Sequence, residues 1–178
     1  MVNSRRVDAA TIAELSALVR NVPDFPQPGV LFRDISPVLR ECFDGALDAL
    51  QALISRQEWK QVDAIAGIDA RGFILAAGLA ARAGKGFVPV RKAGKLPPPV
   101  ERREYRLEYG SNVLEMHRGA GRLLLVDDVL ATGGTLRGAA ELSLASGYTI
   151  VGMLVLIDLN IAPAPLWSGC EVRSVLRY

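Results

Sequence analysis

Short apolar runs that end at acidic residues alternate along this chain with stretches of helical spacing. Four consecutive apolar residues, Leu123 to Val126, read as a strand buried on both faces, the pattern of a central parallel strand, and Asp127 and Asp128 stand where it should end. Small residues follow, Ala131, Thr132, Gly133, Gly134 and Thr135, and lead into an alanine-rich helical stretch that runs to about Ser146. The pattern recurs upstream: Val62 to Ile68 reads as a buried strand stopping at Asp69, a small-residue helix begins near Gly72 and reaches Ala83, and Phe87 to Val90 forms another short strand. Residues Asp8 to Arg20 also have helical spacing, with Ile12, Leu15, Leu18 and Val19 on one face, and Phe43 to Ile54 is a further helix. A proline-rich turn, Pro23 to Gly29, separates the two. Strands alternating with helices predict right-handed crossovers, hence an α/β fold with a central, mainly parallel twisted sheet flanked by helices, and ligand sites beyond the carboxyl ends of the strands. Asp69 and Asp127 fall at such ends. There is no internal repeat, and the only linker-like region is Lys92 to Arg103, rich in proline and charge.

Composition narrows the field. The chain has 178 residues, 50% of them hydrophobic, enough for one well-buried domain and short for two, so 1–178 is expected to be a single unit. Lysine and arginine number 21 against 19 acidic residues, a net of +2, which gives no electrostatic case for nucleic acid or an anionic membrane. Cys42 and Cys170 are the only cysteines and lack metal or redox spacing, so they are expected to be idle thiols. The N-terminal stretch is amphipathic and polar rather than continuously apolar, and no apolar run reaches membrane-spanning length, so a soluble cytoplasmic protein is expected.

The candidate chemistry sits after two strands. Small residues at 131–135 let a ligand approach the backbone, and the N–H groups and dipole at the start of the following helix favour a phosphate. Two carboxylates beside such a loop repel the phosphate itself, so their natural partners are sugar hydroxyls or an accompanying cation; the set suits a phosphorylated sugar. There is no P-loop and no dinucleotide fingerprint. In AGIDARGF, Ala66 to Phe73, a tight loop supplies N–H donors and the Arg71 guanidinium, which can grip a diphosphate bidentately. The charged stretch Arg91 to Gly110 is long enough to be a lid, whereas His117, a single histidine in a short connection, reads as structural or exposed.

These residues carry a family resemblance. VDDVLATGGT resembles the 5-phosphoribosyl diphosphate (PRPP) motif of the type I phosphoribosyltransferases, and AGIDARGF resembles the loop that binds the pyrophosphate of PRPP in that family. DFPQPGVLFRDISPVL and FVPVRKAGKLP with YRLEYG are similar to the adenine-specific branch, so the likeness spans about Asp24 to Leu159. It implies Asp127 and Asp128 on the ribose, the Ala131 to Thr135 loop on the 5′-phosphate, and Asp69, Ala70 and Arg71 at the diphosphate, with a cis peptide between Asp69 and Ala70. It implies base recognition through the main chains of Leu31 and Arg33, with Phe32, Val129 and Leu159 as walls. It implies Glu108 as general acid/base and Tyr109 as the residue closing a lid of about 92–112, and extra positive charge from Arg91, Lys92 and Lys95 across the interface of a homodimer. About 1–40 would then hold the N-terminal helix and the base-pocket segment. Adenine and PRPP are the implied substrates and Mg²⁺, bound mainly through PRPP, the implied cofactor, with no protein ligand to the metal assigned. Two rivals are a hypoxanthine or guanine enzyme, which presents a lysine on the strand here occupied by the lysine-free Val151 to Asn160, and a silent PRPP-sensing regulator, for which there is no DNA-binding appendage. The connection between Met116 and Arg122 is short and the segment after Asn160 matches poorly, which leaves the packing of the C-terminal region open.

Overall fold

Leu123 to Val126 lie at the centre of an eight-stranded sheet, buried on both faces. In the computed structural model, residues 7–106, 111–163, 166–167 and 169–178 are described. In chain order the elements are α1 (Ala9–Leu18), β1 (Arg20–Pro23), β2 (Leu31–Asp34), α2 (Ser36–Glu41), α3 (Phe43–Ala52), α4 (Arg56–Trp59), β3 (Ala64–Ile68), α5 (Arg71–Ala83), β4 (Gly86–Lys92), β5 (Glu101–Arg106), β6 (Ser111–Met116), β7 (Gly121–Leu130), α6 (Gly134–Ala145), β8 (Tyr148–Asp158), β9 (Leu166–Trp167) and β10 (Cys170–Arg177).

The sheet order is β5-β6-β4-β3-β7-β8-β10-β9. The pairings from β4 through β10 are parallel, and the strands added at each edge are antiparallel. Alternation along β7 sends Leu124 and Val126 into one core with α1, α2, α3 and α5, and Leu123 and Leu125 into a second core with α6 and the β5–β6 hairpin. Two apolar faces need two covering layers, which is why this strand lacks the polar alternation of an exposed one. β1 and β2 form a separate two-stranded ribbon, Arg20 opposite Asp34 and Pro23 opposite Leu31.

Several expectations change. β7 does not stop at the acids but runs on to Leu130, because β8 still pairs with it there (Leu130 opposite Asp158) after β3 has ended at its last partner, Val126. The stretch 92–112 is not structureless: Glu101–Arg106 pairs with Ser111–Met116 in an antiparallel hairpin whose Tyr105, Leu114 and Met116 are buried. The C-terminal segment is packed rather than loose, since β10 pairs with β8 and buries Val172 and Leu176. His117 bonds through Nδ1 to the Pro99 carbonyl at 2.9 Å, a structural role, and both thiols are free.

Candidate active site

From β3 the chain crosses through α5 to β4 on one side, and from β7 it crosses through α6 to β8 on the other, so the strand order reverses between β3 and β7. A crevice beyond the strand ends at such a reversal is where ligands bind in open α/β sheets. Here it is deepened because β3 ends four residues before β7, leaving residues 127–130 without a neighbour on that side.

Asp127 and Asp128 are 8% and 6% exposed. The Asp128 amide donates to Asp127 Oδ1 at 2.9 Å, and Asp128 Oδ2 lies 2.7 Å from Arg71 Nε. That ion pair lacks hydrogen-bond alignment, so Oδ2 remains a buried acceptor without a donor. Burial, and then the neighbouring Asp128 charge, push the Asp127 carboxyl well above the ordinary carboxylate range. Burial also raises Asp128, with Arg71 opposing it. Gly72 is what allows α5 to start so close: a Cβ there would stand 2.8 Å from Asp127 Oδ1.

The second strand end holds the cations. The peptide between Asp69 and Ala70 is cis, and Arg71 opens α5 immediately after it. Asp69 Oδ2 faces Arg91 Nε at 3.5 Å and Lys95 Nζ at 3.7 Å and accepts from the Lys92 amide at 3.4 Å. After β7, Val129 through Leu136 enclose a small concavity of about 90 Å³, with Gly133 at φ +80° turning the chain into α6. A bare turn of main-chain N–H groups at a helix start is an anion cradle.

Beside Arg71 a wider cleft of about 360 Å³ is lined by Arg20, Val22, Phe25, Phe32, Asp34 and Ser36. Phe25 and Phe32 meet edge to face at 5.1 Å, and the Arg71 guanidinium carbon lies 4.9 Å from the centre of the Phe32 ring. The Arg33 side chain is engaged elsewhere, bonding Asn21 and stacking 4.1 Å over Tyr178. Leu31 is exposed on the ribbon. Of the two further wall residues, Val129 lines the small concavity instead, and Leu159 is half-buried against the first core, its amide bonded to the Leu130 carbonyl. Neither lines the Phe32 cleft. Glu108 and Tyr109 lie outside the described residues. Arg71, Asp69, Ala70, Arg91, Lys92, Lys95, the two acids and the 131–135 loop are thus gathered round one crevice.

The described residues hold no group of three His, Cys, Asp or Glu side chains that could bind a metal by themselves. A hard cation here would need most of its oxygen ligands from the substrate and water, which suits Mg²⁺ with a diphosphate, and the donorless Asp128 Oδ2 is compatible with a positive neighbour. Sequence reading missed Tyr105, which is buried on the hairpin against Gly138 of α6, because nothing local distinguishes one tyrosine in a charged stretch.

The arrangement defines a phosphoribosyl-transferring site, and residues 43–173 match the family model of the phosphoribosyl transferase domain. A protein named adenine phosphoribosyltransferase from Hydrogenovibrio crunogenus is 46% identical over 165 residues, 92% of this chain and 96% of its own. A crystal structure of adenine phosphoribosyltransferase from Rhodothermus marinus superposes with a TM-score of 0.84 at 38% identity, covering 96% of this chain and all of the other. The Saccharomyces cerevisiae adenine phosphoribosyltransferase, in complex with adenine and an imino-altritol bisphosphate, gives 0.82 at 30% identity over 94% of this chain and 99% of that one. The chain belongs to the adenine phosphoribosyltransferase family. It is therefore a pentosyl-transferring enzyme by descent as well as by geometry, and no described helix is long and apolar enough to cross a membrane.

Proposed function

We propose that the chain transfers the 5-phosphoribosyl group of PRPP to adenine, giving AMP and pyrophosphate, and so serves AMP salvage. The observation that carries this reading is the buried Asp127–Asp128 pair between a phosphate cradle and a cationic strand end, all at the sheet's reversal point. The base attacks the anomeric carbon through N9, the bond to the diphosphate oxygen breaks with its electron pair, and pyrophosphate leaves. The 131–135 loop holds the 5′-phosphate, and Asp127 and Asp128 hold the ribose hydroxyls and stabilise the oxocarbenium-like centre. Arg71, with Arg91, Lys92 and Lys95, meets the diphosphate, and the Asp69–Ala70 turn presents its main chain to it. Mg²⁺, carried in mainly by PRPP, would neutralise the leaving group. Glu108 takes the proton from the base as the N9 bond forms, and Tyr109, in the segment that joins β5 to β6, closes over the sugar to keep water out.

The base sits by Phe32. Leu31 and Arg33 are two residues apart on β2, so their main-chain groups leave the ribbon on the same side, suited to the donor and acceptors of adenine. With its guanidinium engaged by Asn21 and Tyr178, Arg33 reads the base through its main chain. Val129 and Leu159 would then close the base pocket only with ligand bound, since neither lines the cleft now. The chain acts as one unit over 1–178, in the cytoplasm, and as a homodimer, because Ile74 and Phe87 are exposed (45% and 37%) beside the edge-to-face Phe73–Phe87 pair.

The test is to incubate the protein with PRPP, Mg²⁺ and each purine base in turn and identify the nucleotide. AMP should form, with hypoxanthine and guanine used far less well, in keeping with the lysine-free β8. Inosine monophosphate formed as readily as AMP overturns the pocket assignment, and PRPP binding without any nucleotide formed overturns transfer itself.

A further inference from the structure

Glu115 is the one carboxylate of the described residues with no exposed surface, although its neighbours on β6, Leu114 and Met116, are the ones that face the core. Alternation turns it to the other side of the strand, under the short loop that follows β4. Its Oε1 accepts the Lys95 and Leu96 amides at 2.6 and 2.7 Å, and Arg102 Nε donates to Oε2 at 3.1 Å. The main-chain amides facing it, from Gly94 to Leu96, hold its carboxyl down to about 2 against the effect of burial, so it is ionised at any working pH. Two consecutive N–H groups, those of Lys95 and Leu96, converge on one carboxylate oxygen, a nest that Gly94 permits by turning at φ +83°.

What the nest holds is a cationic arm. Lys95 reaches from it to Asp69 at 3.7 Å, and its own carbonyl accepts Arg91 Nη1 at 3.1 Å. Arg91 Nε, 3.5 Å from Asp69, is otherwise a buried donor without a partner. Arg91 and Glu115 are also directly opposite each other across the β4–β6 pairing. We infer that Glu115 is a positioning residue for PRPP: by fixing the main chain of 94–96 it aims the Lys95 ammonium and the Arg91 guanidinium at the diphosphate subsite beside Asp69. This rests on the reading of Arg91 and Lys95 as diphosphate contacts. A buried charge is an expensive way to stabilise a loop, and the return is one fixed geometry rather than extra stability.

The test compares Glu115→Gln, Lys95→Ala and the double variant in steady-state kinetics with PRPP and adenine, alongside thermal melts. Lys95→Ala should raise KM for PRPP by about tenfold or more, and Glu115→Gln should do the same while KM for adenine stays unchanged, because misplaced contacts act on the substrate they touch. The double variant should be within about threefold of the worse single one, since two residues acting through one contact are not additive. Gly94→Val provides a fold-safe arm: a Cβ there meets open space, yet the positive φ disfavours valine, so it disturbs only the turn and should raise the same KM. Normal KM for PRPP in both Glu115→Gln and Gly94→Val, or fully additive losses in the double variant, overturns the inference. A silent Lys95→Ala instead overturns the assignment of Lys95 to the diphosphate, and the inference with it.

Discussion

Asp127 is a carboxyl group that its surroundings in the fold do not favour as a carboxylate, since burial and the adjoining Asp128 both oppose its charge. Its folded pKa is raised, so the folded chain holds this proton more tightly than the unfolded one; the wild type is relatively stable below that pKa and loses stability as pH rises through it. Asp127→Asn removes the titration while keeping an oxygen for the Asp128 amide. At pH 7 the variant should therefore melt higher than the wild type, by about 2–4 °C for each kcal/mol recovered, with the gap closing as the buffer is acidified, while transfer activity is lost. A melting temperature at or below that of the wild type at pH 7 would show that the acid is already paid for within the fold. Paired acids after an apolar run and an arginine after AGID were legible as chemistry because small motifs declare their neighbours. Glu115 and Tyr105 were not: their neighbours, main-chain amides and Gly138 of α6, are brought near only by the folded sheet.

Among the elements, those that bury a continuous apolar face could be read in advance. β3, β7, α3, α5 and α6 fall where periodicity placed them, within a residue or two at most ends. The hairpin β5–β6 escaped because charges occupy both faces of β5, Arg102 and Glu104 on one and Glu101 and Arg103 on the other, where Arg103 pairs with Glu141 of α6, so that only Tyr105, Leu114 and Met116 mark the inward face. β10 was hidden in the same way, by the charges of CEVRSVLR around Val172 and Leu176. β1 and β2, four residues each, are too short for a period to register. The turn into α6 now separates two effects that a single substitution would mix. Gly133 has φ +80°, so Gly133→Val should cost about 1–3 kcal/mol of stability through backbone strain as well as weakening PRPP. Thr132→Val, in the same concavity, leaves the backbone alone and should lower PRPP affinity by about 1.5–3 kcal/mol, the worth of a hydrogen bond to a charged group, with little change in melting temperature. Calorimetric titration with PRPP and a melt of each variant decide it; unchanged affinity in Thr132→Val would remove that hydroxyl from the phosphate site.

At the scale of the molecule, the sheet divides two cores that answer to different parts of the reaction: one backs Arg71 and α5, the other joins α6 to the hairpin. On the surface of α5 Ile74 stands exposed next to Phe73, which meets the exposed Phe87 edge to face. If this face joins two copies, Ile74→Glu should shift the protein from dimer to monomer in light-scattering chromatography at micromolar concentration, because a buried unpaired carboxylate is unfavourable in an apolar interface. A wild type that elutes as a monomer would dismiss the dimer, and a variant that stays dimeric would move the interface elsewhere. The ribbon of β1 and β2 stands apart from this partition, since it shares no ladder with the eight strands. It touches the rest of the site through a few side chains, Phe32 against Arg71 and Arg33 against Tyr178. On the proposed reading, the main-chain contacts to the base would come from this short, contiguous piece of chain, while the groups that handle the activated sugar are spread over the sheet; selection could then revise the first without rewriting the second.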